Sequence, residues 1–385
     1  MSLALASPTL FPRTIYFLNN EVSGNYLVSM KLSEQDGTVS GGVKIPTGGK
    51  GFSGDIAPSA DSVVVAGNYL FVPNSGDDTL SFFIINPLDP LHPRLVGRPA
   101  PTLGRTPLSV AYSDKHNTAC VLNAGSLAGI TCYEVSPFEG LKVLGPMRVI
   151  PQTENQDPSP APAGPLILAN DIRFNPSESA VFATVRSNGL NPGLLYSFPV
   201  SRGQVGTKPV VSSLANTQIA FSLTFLSADD RLLITNPHIG SSALSIVDLS
   251  PSGEVVKTQD VTIPREAATC WVAYEPSLKS AILSDAITPA FTVLNTETGA
   301  VRGQVNFTTP LNGAMDNKID RDWFYALTDP FGADGLVASP ELLVFDITPI
   351  ARGGVPKQVQ TYDIFHAIGN ITNLNGLAIY PGNRL

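Results

Sequence analysis

One hairpin recurs along the chain. The stretch Thr269 to Asp285, TCWVAYEPSLKSAILSD, is an apolar run, a Pro-bearing turn and a second apolar run that ends on a polar residue. By residue type the unit returns at Ser62 to Asn74, Leu108 to Asn123, Asp171 to Arg186, Leu223 to Asn236 and Gly313 to Asp329. Short β-rich runs separated by Asx, Gly, Pro or Ser read as hairpins. A hairpin repeated through a chain limits the fold to a repeat architecture before any single residue is interpreted. With 33 Gly and 33 Pro in 385 residues, and no capped apolar stripe of helical period, long helices are excluded.

The order of runs predicts a closed ring. Arg13 to Leu18, NYLVSMKL and GGVKIPT supply three N-terminal strands that lack an inner partner, and NGLAIY (Asn375 to Tyr380) supplies it from the other end. Sharing one blade between the termini removes the edges that an open array would expose. Leading strands are expected near Val63, Leu108, Ile172, Leu223, Trp271, Ala314 and Leu377, which gives an all-β, seven-bladed β-propeller spanning 1–385 as one domain. Residues 1–12 read as a tail or signal remnant. The Pro/Ala/Ser-rich stretch QTENQDPSPAPAG is a surface loop and not a linker.

Charge narrows the partners. Apolar residues make up 43% and charged residues 15%, with a net charge of −8, so nothing resembles the basic stripe that nucleic acid requires. No basic cluster suits a membrane surface, and no apolar run reaches the length of a spanning helix. Cys120 and Cys132 end and begin the arms of one hairpin, so they are expected face to face as a disulfide; Cys270 is left over. Two sequons, at Asn306 and Asn370, are candidate glycosylation sites in a secreted chain.

In such blades the connections into strand a and from strand b to strand c emerge on one face. The b–c corners carry Asn19, Asn20, Asn74, Asn123, Arg186, Asn236, Asp285 and Asp329. The entries to strand a carry Asp55, Arg105, Asn170, Asp171, Gln218, Thr269, Asn312, Asn373 and Asn375. Together they predict a polar ring around one channel mouth, a common place for ligands. The plainer reading is that Asn and Asp at strand ends bond their own backbone. The four histidines, His92, His116, His238 and His366, lack metal-ligand spacing, and no nucleophile elbow, P-loop or dinucleotide fingerprint is present, so no cofactor is expected. Asp171, Asp285, Asp329 and the Asn residues leave a hard-cation site open as an alternative.

The segments GTVSGGVKIPTGGKG, VVVAGNYLFVPNSGDDTLSFFIINPLDP and ATCWVAYEP resemble a group of fungal secreted propellers labelled carboxymuconate-cyclase-like, within the lactonase-like seven-bladed propellers. The likeness runs over nearly the whole chain and implies this fold and a secretory origin. The His and Arg residues of true muconate cycloisomerases find no match here. Some proteins similar to this group are hetero-Diels–Alderases that join a tropolone-derived quinone methide to a humulene-type terpene. That resemblance implies a cycloaddition between small apolar metabolites, driven by proximity and by donors aimed at a carbonyl. Arg105, Arg186, Asn123 and Asn170 would donate, Asp285 and Asp171 would orient them or handle protons, and Trp271 would stack. Asn20, Asn74, Asn236, Thr269, Asn312 and Asn375 would complete the binding surface. The alternatives are a lactonase or cycloisomerase, which needs a metal or an acid/base pair, and a non-enzymatic binding or adhesion propeller.

Overall fold

The computed structural model describes residues 12–52, 59–151, 168–187, 191–238, 243–307, 313–328, 339–369 and 373–382. Seven antiparallel sheets form a ring, a seven-bladed β-propeller. From the axis outward, blade 1 holds Val64–Ala66, Tyr69–Asn74, Thr79–Asn86 and Asp89–Leu95. The inner strands of blades 2 to 6 are Pro107–Ser113, Leu168–Phe174, Leu223–Ala228, Thr269–Glu275 and Ala314–Asp320. Blade 7 is the shared one. Asn375–Tyr380 lies innermost and pairs antiparallel with Arg13–Leu18, with Thr14 opposite Tyr380 and Ile15 opposite Ile379. The expected starts of the leading strands differ by a few residues at most. Blade 3 departs furthest, beginning at Leu168 because Ala169 already pairs with Val185.

The core lies between blades. Strands a to c are covered on both faces by neighbouring sheets, so they read as continuous apolar runs and not as alternating ones. Ser280–Asp285 and Asn375–Tyr380 are buried at every position, whereas the outer strand Lys357–Asp363 alternates towards solvent. Each interface has its own cluster. Phe291, between blades 5 and 6, has Phe307, Phe324 and Phe345 at ring-centroid distances of 4.6, 4.8 and 5.1 Å. The outermost strand of blade 1 carries Pro90 and Pro93, residues tolerated only where no further strand must pair.

Cys120 and Cys132 stand directly opposite each other in blade 2 and are joined by a disulfide; Cys270 is free and buried. Among the described residues, no helix is long and apolar enough to cross a membrane.

Candidate functional site

The corners that leave strand b are built as clamps in several blades. In blade 5, Asp285 accepts four backbone amides: Ala267 and Ala268 on Oδ2 (2.6 and 2.9 Å), Ile287 and Thr288 on Oδ1 (2.8 and 2.7 Å). In blade 4, Asn236 accepts from the Ile219 amide (2.9 Å) and donates to the Asn216 carbonyl (3.2 Å). In blade 2, Asn123 Nδ2 donates to the carbonyls of Thr102 and Gly129. In blade 1, Asn74 accepts from Thr47 Oγ1 (2.7 Å) and Asn25 Nδ2 (3.0 Å) and donates to Ser81 Oγ (2.8 Å). Each side chain ties the b–c corner to the segment entering its own blade. Gly49 and Gly104 lie against Asn74 and Asn123, where any Cβ would collide with the amide.

Most of the predicted polar ring is therefore scaffold. Asn20 bonds both ways to the Phe52 backbone, and Asn375 Oδ1 accepts from the Gly376 amide. Arg105 is an exposed arginine paired with Asp78 at 2.6 Å. Asn312 and the sequon residue Asn370, like Asp55 and Asp329, lie outside the described residues. Replacing Asp285 with Ala strands four amides, and each buried unpaired donor costs roughly 1–3 kcal/mol. Urea denaturation should therefore show a loss of about 3 kcal/mol or more. A loss below about 1 kcal/mol would rule out an anchoring role.

Blade 3 breaks the pattern twice. The top of the inner strand carries a β-bulge in blades 2, 3, 5 and 6, where one residue is left without a partner on strand b. Bulges of this kind re-aim side chains at rims and sites. The extra residue is Leu108 in blade 2, Cys270 in blade 5 and Met315 in blade 6, but Asn170 in blade 3. Asn170 is 1% exposed, and among the described residues neither its Nδ2 nor its Oδ1 has a hydrogen-bond partner. At the corner, Val185 holds the register position that Asp285 holds in blade 5, and Arg186 follows it. Arg186 makes no hydrogen bond or ion pair with the described residues, and its Nε is buried without an acceptor. Burial lowers its pKa to about 10, so it stays cationic at neutral pH.

The neighbouring side chains share this character. Arg186 and Cys270 influence each other electrostatically, and Cys270 in turn senses Glu266 and Asp285. Burial, then the Asp285 charge, pushes the Glu266 carboxyl up to about 8. Its Oε1 accepts from Thr292 Oγ1 (3.3 Å), while Oε2 is buried and unpartnered. Glu266, His238, Asn236 and Thr269 line a hollow of about 30 Å³, and His238 Nδ1 and Thr269 Oγ1 have no hydrogen-bond partner among the described residues. Burial raises the Cys270 thiol, so it is no thiolate nucleophile. Trp271 is 2% exposed and packs edge-on to Phe221 at 5.2 Å, and its indole N–H donates to the Ser59 carbonyl (3.2 Å). So buried, it offers no face for stacking.

Below the mouth lies a charged cluster that the sequence reading missed, apart from Asp171. Asp61, which leads into blade 1, bridges Arg173 of blade 3 and Lys318 of blade 6, the latter at 2.8 Å. Asp171 Oδ1 accepts from Ser109 Oγ (3.2 Å) and Oδ2 from the Leu223 amide (2.8 Å). Burial raises both Asp171 and Asp316 to about 7, and the two cations hold Asp61 down at about 2. A signal for it exists: Asp171-Ile-Arg173 and Asp316-Asn-Lys318 repeat Asp-x-cation immediately after the bulge in two blades.

No protein-family model matches the sequence, and neither does any curated protein. Solved structures match over almost the full length. A protein of Bacteroides fragilis provisionally named a 6-phosphogluconolactonase is 13% identical, with 97% of this chain and 99% of that chain covered and a TM-score of 0.65. The periplasmic gluconolactonase of Pseudomonas aeruginosa is 14% identical, with 95% and 99% covered and a TM-score of 0.58. A Sulfolobus tokodaii protein named a hypothetical selenium-binding protein is 11% identical, with 99% and 96% covered and a TM-score of 0.65. At these identities the likeness is one of fold alone, the seven-bladed β-propeller.

Proposed function

We propose that this chain is an enzyme that opens or closes a ring at a carbonyl carbon, as a lactonase or cycloisomerase, in the sector of the mouth between blades 3 and 5. The observation that carries the reading is the departure of blade 3 from its own repeat. Among the described residues, an amide with neither polar atom bonded and a guanidinium with no counter-charge stand where other blades have apolar residues or side chains that clamp the corner, and such violations concentrate at functional sites. Arg186 and Asn170 Nδ2 would donate to the carbonyl oxygen and stabilise the oxyanion. In the hydrolytic direction water adds to the carbonyl carbon, the ring C–O bond breaks, Glu266 gives its proton to the leaving alkoxide, and the proton shed by the added water restores the Glu266 acid. A carboxyl held near 8 is protonated at neutral pH, as a general acid must be. The lactonase names among structures of the same fold support this reading by analogy.

A second reading is the hetero-Diels–Alder cyclisation of small apolar metabolites. It is favoured by the same donors, because a pericyclic step needs a polarised carbonyl and no proton transfer. Glu266→Gln separates the two on a panel of aromatic lactones and quinone methide–terpene pairs. Ring opening should fall by about 10²-fold or more, and wild-type activity should decline as pH rises through about 8, where the acid is lost. Unchanged turnover in Glu266→Gln would remove the acid/base role and leave the cycloaddition. The disulfide and the exposed Asn306 support a secretory setting, which glycan release followed by mass measurement of protein from a eukaryotic host tests.

A further inference from the structure

Five charged side chains meet inside the ring without any part in the mouth chemistry. They come from three places far apart in sequence: Asp61 from the lead into blade 1, Asp171 and Arg173 from blade 3, and Asp316 and Lys318 from blade 6. The other contributions are neutral: Ser109 Oγ from blade 2, and Thr224 Oγ1 and the Leu223 amide from blade 4. Asp316 Oδ1 accepts from the Asn317 amide and the Leu377 backbone also favours the charged carboxyl, while among the described residues Oδ2 is buried with no hydrogen bond of normal geometry. With all three carboxylates ionised the cluster carries three negative and two positive charges, an excess that burial resists.

We propose that this cluster is a proton-dependent latch: Asp61 holds Arg173 and Lys318 while the flanking carboxyls of Asp171 and Asp316 are protonated, and the grip weakens when they ionise. Once charged, Asp171 and Asp316 compete with Asp61 for the same two cations. The segment Asp61 secures is the one whose Ser59 carbonyl receives the Trp271 indole, and the Asp61 carbonyl accepts the Val110 amide (3.0 Å). Releasing it loosens blade 1 against blades 2 and 5 at the top of the channel. The fold raises both carboxyls above their ordinary value of 3.8, so protonation favours the folded state. Stability then declines as pH rises from about 4 through neutrality and levels off above it. The latch does not depend on what the mouth binds.

Glu266 titrates in an overlapping range, so the test uses the full chain carrying Glu266→Gln. Urea midpoints measured at intervals from about pH 5.5 to about pH 8.5 should fall in that background. Adding Asp171→Asn and Asp316→Asn, which mimic the protonated carboxyls, should abolish most of the fall. Should the combined variant not fold, infrared spectra of the Glu266→Gln protein decide the matter. A protonated-carboxyl carbonyl band present at the lower pH should vanish at the higher, and each single Asn variant should remove part of it. An undiminished pH dependence in the combined variant, or no such band, overturns the latch.

Discussion

Arg186→Met should make the protein more stable and less active at once. The guanidinium is desolvated, has no counter-charge among the described residues, and has a buried Nε without an acceptor. Removing a half-buried charge that has no counter-charge among the described residues relieves a desolvation cost instead of breaking an ion pair, so a gain of up to about 1 kcal/mol in unfolding free energy is expected. Losing a donor to the developing oxyanion should cost about 10²- to 10³-fold in turnover. Asn170→Leu, which installs the residue that blade 2 has at its own bulge, should act in the same direction. It removes two unsatisfied amide atoms, whose burial costs roughly 1–3 kcal/mol. Urea denaturation and lactone turnover measured on the same preparations check both. If both variants lose stability by more than about 1 kcal/mol, these residues are part of the scaffold and the site assignment fails.

Asp61→Asn should have the largest effect on stability. Asp61 is the shared partner of Arg173 and Lys318, whose side chains are 24% and 27% exposed, and without it both cations face each other across the channel. Breaking a largely buried ion pair from one side costs about 3–5 kcal/mol, mostly because the remaining charge is stranded. Asn is the suitable probe because Asp61 has a φ of 52°, in the left-handed region that Asn tolerates. Urea denaturation at neutral pH should show this loss. A change below about 1 kcal/mol would mean that Asp171 or Asp316, ionised, substitutes for Asp61.

The fold was legible because its cause is local. A hairpin needs only its own two runs and its turn, and both are adjacent in sequence. The facing of Cys120 and Cys132 follows from the same hairpin register. The site was legible only as a set of residue types. Asn74, Asn123, Asn236 and Asp285 stood out as polar residues at strand ends, which is correct, but sequence does not say where their side chains turn. Asn123, Asn236 and Asp285 turn onto backbone of the incoming segment, as Asx residues at corners tend to do, and Asn74 turns onto the Thr47 hydroxyl there. Arg186 and Asn170 belong to the same class by sequence, and they differ only in lacking partners, a property of packing. Glu266 sits in PREAATC without any pattern to mark it, and its high pKa arises from burial and from Asp285. Asp61 meets Lys318 across most of the chain length, so only the repeated Asp-x-cation spacing hinted at the channel cluster.

The most direct test of a ligand site at blade 3 is a crystal structure of the wild-type protein soaked with dihydrocoumarin, a small aromatic lactone. The carbonyl oxygen is predicted within about 3 Å of the Arg186 guanidinium or Asn170 Nδ2, with the ring ester facing Glu266, and Arg186→Met crystals should lose it. Lactone bound instead in the 280 Å³ groove on the opposite face, beside Arg321 and Arg352, or equal occupancy in the Arg186→Met crystals, would contradict the account.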